Sequence, residues 1–266
     1  MKKIRLDQLV FDRGLTPSRE RAKTSIMAGN VFLNGQRSDK PGTAVPEDAQ
    51  IELKEDTLAY VSRGGLKLEK ALKIFNFDPS DAICIDCGAS TGGFTDVLLQ
   101  NGAAKVFAVD VGYGQLAWSI RSDERVVVME RTNIRNVTPE ALGDTPTLAV
   151  ADLSFISLRL VLPVIHELLA ENGHIICLIK PQFEAGREKV GKKGVVREKS
   201  THIEVINDFL KYSCDSGFTP LGFGFSPIRG PEGNIEYLAF AKKGDGELPE
   251  FDIPAIVEAS HSEFDH

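Results

Sequence analysis

The 266-residue chain lacks any apolar run close to the ~20 residues that a membrane-spanning helix requires. Its first seven residues are largely charged and are not followed by the apolar stretch of a secretory signal. Both absences argue against a spanning or secreted protein, and we expect a cytoplasmic one. With 42% hydrophobic residues, the chain can bury one large core and a second, smaller one.

Cysteine and histidine are also scarce. The four cysteines agree with a reducing compartment. Cys84 and Cys87 form a C-x-x-C pattern inside a predicted strand, where residues three apart face opposite sides. The five histidines show no spacing typical of metal ligands. The sequence therefore predicts neither a metal site nor a redox pair.

Charge is unevenly distributed along the chain, whose net charge is −7. Residues 1–45 carry nine lysines and arginines against four acids, whereas the segment after Lys243 contains seven acids and no lysine or arginine. A basic arm on an acidic body suggests a module that binds a polyanion. A solvated surface of mixed charge would give the same totals, so charge alone leaves both interpretations open.

The N-terminal segment has the pattern of a small α+β unit. Apolar residues at helical spacing predict a first helix that Gly14 ends and a second helix, over 19–27, that Gly29 ends. Residues 31–35 then predict a strand that enters a turn. This unit resembles the RNA-binding domain of ribosomal protein S four, the alpha-L motif, over residues 3–60. The resemblance rests on Ser18, Arg19, Ala22, Ile26, Gly29 to Val31, Asn34 and Gly35.

Basic side chains of the second helix lie off its apolar stripe, so we expect Arg19, Arg21 and Lys23 to be free to meet phosphates. A basic loop over 186–193 is a further candidate for a phosphate contact. The complete set of predicted RNA-binding residues is Lys2, Lys3, Arg5, Arg19, Arg21, Lys23, Arg63, Lys189, Lys192 and Lys193.

Residues 83–94 are the most informative stretch, because an apolar run reaches Asp86 and a glycine-rich turn then opens a helix. Glycines allow backbone N–H groups to approach a ligand at such a turn. A second apolar run ends in Asp110, at the distance at which an acid binds a ribose diol. A tight turn without a ligand remains the alternative.

The spacing favours S-adenosylmethionine over a dinucleotide. No lysine or arginine lies near enough in sequence to neutralise a diphosphate, which Asp86 would repel, although that acid could help to hold a cation. We expect Asn133 to contact the adenine edge. The predicted cofactor residues are Asp86, Gly88, Ala89, Ser90, Thr91, Gly92, Gly93, Phe94, Asp110, Asn133 and Asp152.

The remainder of the chain alternates between predicted strands and helices. Helices are predicted near 65–76, 92–101, 114–121, 157–171 and 199–215, and strands near 82–87, 104–110, 125–130, 147–151, 174–180, 218–225 and 235–241. The last two strands are separated by a segment too short for a crossover helix, so they should be antiparallel. The fold class is therefore α/β, with a Rossmann-like, doubly wound, mostly parallel sheet of seven strands whose last strand is antiparallel. It resembles the class I methyltransferases.

Four segments follow from this organisation. Residues 1–57 form the RNA-binding domain, 58–61 an interdomain linker, 62–243 the methyltransferase domain and 244–266 an acidic C-terminal tail.

Four charged residues lie at the predicted ends of strands or helices: Lys67, Asp152, Lys180 and Glu236. Any one alone would be interpreted as a solvated end, but ligands of such sheets lie beyond the carboxyl ends of the strands, and the four together favour a site. They match the Lys-Asp-Lys-Glu tetrad of the FtsJ-type RNA 2′-O-methyltransferases, which the sequence resembles. Lys180 is our candidate base. Because a free lysine is charged at neutral pH, the site would have to favour its neutral amine by desolvation and by the Lys67 charge.

The whole chain resembles the TlyA family, an alpha-L domain fused to an FtsJ-like domain. The motifs that carry this resemblance are SRGG at 62–65, GASTGGFTD at 88–96, DVGYGQL at 110–116, RTN at 131–133 and KPQFE at 180–184. The resemblance implies methylation of a ribose 2′-hydroxyl, of cytidine in ribosomal RNA, with ribosomal RNA or ribosomal subunits as partners.

Two other classes of function remain open. A membrane-active haemolysin would use an amphipathic or spanning segment, for which 157–171 is the most apolar candidate, although it is short and resembles a buried helix. We expect no stable membrane association. A ribosome-assembly factor without catalytic activity would not require all four tetrad positions to be filled.

Overall fold

The computed structural model describes residues 3–16, 18–27, 29–53 and 59–264, and the side chain of Pro231 lies outside the description. Lys2 and part of the predicted linker 58–61 lie outside the described residues. The chain divides into two compact units, Met1–Arg63 and Gly64–His266.

The N-terminal unit contains two helices and two small antiparallel sheets. Strand β1 pairs with β4, and strands β3, β2 and β5 form a three-stranded sheet in that order. The elements are β1 Lys3–Arg5, α1 Leu6–Asp12, α2 Arg19–Met27, β2 Val31–Leu33, β3 Gln36–Ser38, β4 Ala44–Pro46 and β5 Ile51–Leu53. Both predicted helices and the predicted strand are therefore confirmed.

The apolar spacing explains the core of this unit. Leu6 and Val10 of α1 are fully buried against Ala22 and Ile26 of α2. Residues i, i+3 and i+4 share one face of a helix, so two short helices can close one core over the sheets.

The larger unit is built from alternating strands and helices. Short 3-10 helices occur at Ile134–Asn136, Leu158–Leu160, Arg187–Lys189 and Pro231–Gly233. The other elements are α3 Gly65–Ile74, β6 Ile83–Cys87, α4 Gly93–Gln100, β7 Lys105–Val109, α5 Trp118–Arg121, β8 Val126–Met129, α6 Pro139–Leu142, β9 Leu148–Ala151, α7 Leu162–Leu168, β10 His174–Ile179, α8 Pro181–Glu184, α9 Lys199–Asp215, β11 Phe218–Phe225, β12 Tyr237–Lys243 and α10 Ile253–Phe264.

The seven-stranded sheet has the order β11-β12-β10-β9-β6-β7-β8. Strand β12 is antiparallel to both of its neighbours, β10 and β11, while β10, β9, β6, β7 and β8 pair in parallel. The predicted fold class is confirmed, including the antiparallel last strand. The carboxyl ends of the parallel strands and the start of β12 consequently lie along one edge of the sheet.

Five helices of the larger unit differ from the prediction, and two of them, α6 and α8, are short helices that were not predicted. The single helix expected over 157–171 is a 3-10 turn followed by α7, because Pro163 has no N–H to donate and fits only the first turn of a helix. Helix α5 is shorter than predicted. Helix α10 was not predicted, and it places Ile253 and Val257 in the core within the segment expected to be an acidic tail.

Two glycines of β11 determine how closely α3 approaches the sheet. A Cβ added at Gly222 would lie 2.9 Å from the Phe75 ring, and one added at Gly224 would lie 2.5 Å from Ile74 Cδ1. Larger residues at these positions would displace the end of α3. Lys67 lies near the opposite, N-terminal end of the same helix.

Candidate active site

The structure brings the four charged candidates into one cluster. Lys67 Nζ lies 2.6 Å from Glu236 Oε2 and 3.3 Å from Asp152 Oδ2, and Lys180 Nζ lies 2.5 Å from Asp152 Oδ1. The topology explains why these residues lie close together. Asp152 and Lys180 directly follow the parallel neighbours β9 and β10, and Glu236 directly precedes the antiparallel β12. Asp152 therefore bridges two lysines with its two carboxylate oxygens.

Burial makes these ion pairs obligatory. Lys67, Lys180 and Glu236 are 6%, 5% and 0% exposed, and charges so far from water require partners. Burial alone would lower the pKa of Lys67, but the carboxylates of Asp152 and Glu236 outweigh it and raise that pKa above its ordinary value. Burial would raise the pKa of Asp152, yet Lys67 and Lys180 together lower it. At neutral pH, Lys67 is an ammonium and Asp152 a carboxylate.

Lys180 has a different set of partners from Lys67. Its Nζ donates a hydrogen bond to Ser154 Oγ at 3.1 Å, so it contacts one carboxylate and one hydroxyl. Lys67 instead contacts two carboxylates. Ser154 was not among the predicted site residues. Its position two residues beyond Asp152, on the same strand-end loop, was the available signal.

Glu236 is held against the backbone of a glycine. Its Oε1 is buried and has no hydrogen-bond partner among the described residues. A Cβ added at Gly230 would lie 2.0 Å from this Oε1, so the glutamate occupies the space that any larger residue would need. Gly230 is thus a support of the site that sequence reasoning missed.

Asn234 ties the segment before Glu236 to the predicted basic loop. Its Oδ1 accepts a hydrogen bond from the Val196 N–H at 3.1 Å, and its Nδ2 donates to the Gly194 carbonyl at 2.9 Å. The asparagine is 2% exposed, whereas Lys192 and Lys193 of the same loop are exposed. The loop is therefore anchored to the site at one end and open to solvent at its lysines.

Glu184, the acid of the KPQFE motif, anchors the loop that follows Asp152. It accepts hydrogen bonds from Ser157 Oγ at 2.6 Å and from the Leu158 N–H at 2.8 Å. Burial raises its pKa above the ordinary value. The motif thus supplies Lys180 to the cluster and a support for the loop that carries Asp152 and Ser154.

A cavity of about 740 Å³ opens beside the cluster, and Asp152 and Ser154 lie on its wall. Of the predicted cofactor residues, Gly88, Ser90, Asp110, Asn133 and Asp152 line it. The other predicted cofactor residues are not on its wall: Asp86, Ala89, Thr91, Gly92, Gly93 and Phe94. Further lining residues that were not predicted include Val111, Gln115, Arg135 and Phe155.

Asp110 organises the part of the cavity next to the glycine turn. Its Oδ2 accepts a hydrogen bond from the Ser90 N–H at 2.7 Å, and its Oδ1 accepts one from the Gly112 N–H at 2.6 Å. A carboxylate fixed in this way retains lone pairs that can accept the hydroxyls of a ribose. Asn133 caps a 3-10 turn by accepting from the Arg135 N–H through Oδ1. We expect its Nδ2 to supply the donor toward an adenine edge.

The glycine turn lies against the loop of Asp152. Gly88 has φ +92°, and a Cβ there would lie 2.8 Å from the Asp152 carbonyl oxygen. Asp86 beneath it is fully buried and accepts a hydrogen bond from Thr95 Oγ1 at 2.7 Å, but its Oδ1 has no partner among the described residues. Burial raises the pKa of Asp86 to about 7. The Asp110 carboxylate can accept the hydroxyls of a ribose, and the acids near the cavity can face cationic groups. Together with the glycine turn, they fit an S-adenosyl cofactor.

The predicted RNA-binding residues have varied surroundings. In the N-terminal unit, Arg5 and Arg19 form ion pairs with the buried Asp7 at 3.0 and 3.3 Å. Arg19 therefore has a partner within the protein, whereas the sequence predicted that it would be free. Burial would raise the pKa of Asp7, but the two arginines lower it. Lys23 pairs with Glu20 at 2.9 Å. Lys3 and Arg21 are exposed.

In the larger unit, Lys189 pairs with Glu204 on α9. All three of these lysines, Lys189, Lys192 and Lys193, are exposed. Among the helices of the described ranges, none combines the length and hydropathy needed to cross a membrane, the 157–171 segment included.

Comparison with known proteins identifies both units. Residues 60–243 match the family model of the FtsJ-like methyltransferases, and residues 4–51 match that of the S4 domain. The chain is 53% identical over 266 residues to YqxC of Bacillus subtilis, described as a candidate rRNA methyltransferase, covering 98% of this chain and 95% of that protein.

Two further relatives span nearly the same length. The 16S/23S rRNA (cytidine-2′-O)-methyltransferase TlyA of Mycobacterium tuberculosis is 45% identical over 242 residues, covering 91% of this chain and 90% of that protein. A solved structure from Streptococcus thermophilus, described as a candidate hemolysin, is 48% identical and covers 100% of this chain and 98% of that one, with a TM-score of 0.80. The chain therefore belongs to the TlyA family, in which an S4 domain precedes an FtsJ-like methyltransferase domain.

Proposed function

We propose that this protein transfers a methyl group from S-adenosylmethionine to the 2′-hydroxyl of a cytidine ribose in ribosomal RNA. The observation that carries the proposal is the Lys67, Asp152, Lys180 and Glu236 cluster beside the 740 Å³ cavity. The specificity of the Mycobacterium tuberculosis relative, which is named for cytidine-2′-O methylation, supports the choice of ribose and base.

The chemistry requires alignment and the removal of one proton. A ribose hydroxyl is a weak nucleophile, and the bound cofactor supplies an electrophilic methyl group on a sulfonium. Positioning of the two reactants lowers the barrier by several kcal/mol, and a base adjacent to the hydroxyl adds a factor of about 10²–10⁴. The residues of this chain therefore have to hold the ribose in line and accept its proton.

The unequal partners of the two lysines assign their roles. Lys67 is held charged by two carboxylates, which suits it to stabilising negative charge as it develops on the ribose oxygen. Lys180 has one carboxylate and one hydroxyl, which makes it the better candidate for the base. Asp152 orients both amines, and Glu236 compensates the Lys67 charge.

In the same proposal, Gly88, Ser90, Asp110 and Asn133 hold the cofactor, with Asp86 behind the glycine turn. The S4 domain and the basic loop bind the RNA through Lys3, Arg21, Lys192 and Lys193, and Arg5 and Arg19 add charge while they are braced by Asp7. We also propose that the two domains span residues 1–57 and 62–243 and that the protein is cytoplasmic.

Methyl transfer to isolated ribosomal subunits that lack the modification tests the function. Subunits from a strain without the enzyme would be incubated with tritiated S-adenosylmethionine and the protein, and the nucleosides then separated. We expect label in 2′-O-methylcytidine. Label in a base, or no label in either subunit despite measured cofactor binding, would contradict the proposal. Cofactor-independent lysis of vesicles would instead support the haemolysin alternative.

A further inference from the structure

Ser154 connects the buried Lys180 amine to the cavity. Lys180 is 5% exposed, whereas Ser154 is exposed and lies on the cavity wall. The 3.1 Å hydrogen bond between Lys180 Nζ and Ser154 Oγ joins them, and among the residues that the structure describes the amine's other polar contact is Asp152 Oδ1 at 2.5 Å.

The two contacts of the Lys180 amine leave one direction of its nitrogen for a substrate. A neutral amine has two N–H bonds and one lone pair, whereas an ammonium has three N–H bonds and no lone pair. Ser154 Oγ accepts one N–H of Lys180 at 3.1 Å, and Asp152 Oδ1 lies 2.5 Å from the same nitrogen. When Lys180 acts as a base, its lone pair has to use the direction that these two contacts leave open.

Lys67 provides the contrast within the same cluster. Its acceptors are carboxylates on both sides, and its pKa is raised, so it remains an ammonium. Exchanging one carboxylate for the uncharged Ser154 oxygen reduces the negative charge at Lys180. The two amines therefore differ in the negative charge around them because Ser154 stands where Lys67 has a second carboxylate.

We propose that Ser154 is a positioning residue that fixes the Lys180 amine for proton abstraction, an inference that rests on the proposed function. The ribose O–H bond breaks as the O–CH₃ bond forms, and the proton passes to the Lys180 lone pair, giving an ammonium. The methyl group leaves the sulfonium, whose sulfur keeps the bonding electron pair and becomes neutral. Ser154 accepts one N–H and Asp152 stays in ion-pair contact throughout, so the remaining direction of Nζ stays on the substrate.

A valine and a threonine substitution separate the hydroxyl from the shape of the side chain. Ser154→Thr keeps the hydroxyl and adds a methyl group, and Ser154→Val has nearly the shape of that threonine without its hydroxyl. We expect Ser154→Val to slow single-turnover methyl transfer by about 10²-fold, as misplacement of a reacting group does. Ser154→Thr should stay within a few-fold of the original rate. The dissociation constants of cofactor and RNA should be unchanged in both.

Three results would overturn the inference. Single-turnover rates that are equal in Ser154→Val and the unsubstituted protein would show that the hydroxyl is dispensable. Equal losses in the valine and threonine variants would assign the effect to packing. A weakened cofactor affinity that accounts for the whole loss would assign Ser154 to binding. Failure of the proposed function itself is distinguishable, because the unsubstituted protein would then transfer no methyl group to ribose.

Discussion

Lys67 Nζ lies 2.6 Å from Glu236 Oε2, and the two side chains are 8% and 0% exposed. Removing one member of a buried ion pair leaves the other charge uncompensated, which costs about 3–5 kcal/mol of stability. We therefore expect Lys67→Met to lower the free energy of unfolding by an amount in this range, measured by urea denaturation with cofactor absent.

The matched control is the double variant Lys67→Met with Glu236→Gln, which removes both charges. It should recover a large part of the lost stability while remaining inactive. If the double variant is as unstable as the single one, the unfolding cost does not come from the uncompensated Glu236 carboxylate.

Gly230 should tolerate no side chain, because a Cβ at this position would lie 2.0 Å from Glu236 Oε1. Gly230→Ala should displace the glutamate and cost about 1–3 kcal/mol, as overpacking does. Methyl transfer should fall along with stability. Gly246→Ala is a suitable control, since the nearest atoms to its Cβ would be those of the Thr219 side chain at 3.3 Å. Unchanged stability and activity in Gly230→Ala would show that Glu236 does not depend on the space beside this glycine.

Asp110→Asn should weaken cofactor binding without unfolding the protein. The amide can still accept one of the two backbone hydrogen bonds from Ser90 and Gly112, but it loses the charge that strengthens bonds to ribose hydroxyls. A loss of roughly 10-fold or more in affinity is expected from hydrogen bonds to charged groups, and calorimetric titration would measure it. Asp144→Asn, at an exposed ion pair with Lys105, should leave the affinity unchanged.

His202 predicts a dependence of stability on pH. Burial lowers its pKa to about 4, below the ordinary value of 6.5, and its ring hydrogen-bonds Tyr237 and the Val196 carbonyl and contacts His261. The unfolded chain therefore binds a proton more readily between these two values. The contribution of neutral His202 to the free energy of unfolding is therefore complete above about pH 6.5, and about 2–3 kcal/mol of it is lost as the pH falls toward 4.

Urea denaturation at pH 7.5 and pH 4.5 would test this, with His202→Gln as the comparison. The glutamine variant has no imidazole at this position, so its stability should change less between the two pH values. An equal change in both proteins would assign the pH dependence to other groups, such as His261.

The sheet and the charged cluster could be predicted because both follow from rules of topology. Parallel strands end on one edge, so Asp152 and Lys180, far apart in sequence, were expected to meet. Helix α10 was missed because its segment is acidic, although Ile253, Ile256 and Val257 repeat at helical spacing. Charge alone could not show that Arg19 pairs with Asp7, since the partner of an arginine depends on tertiary packing.

The supports of the site were also beyond the sequence patterns. Gly230 and Asn234 act through close contacts with Glu236 and the 194–196 backbone, which depend on distances between loops. Ser154 contributes a hydroxyl to Lys180 from a different strand end. A pattern of residue types predicts which side chains carry chemistry more readily than which ones hold them in place.

The central claim is that Lys180 accepts the proton of the ribose hydroxyl. Single-turnover methyl transfer to ribosomal subunits that lack the modification, compared between the unsubstituted protein and Lys180→Ala, tests it most directly. We expect label on cytidine ribose with the unsubstituted protein, no detectable transfer by Lys180→Ala, and equal dissociation constants for S-adenosylmethionine in both. Retained transfer by Lys180→Ala would contradict the claim and remove Lys180 from the role of base.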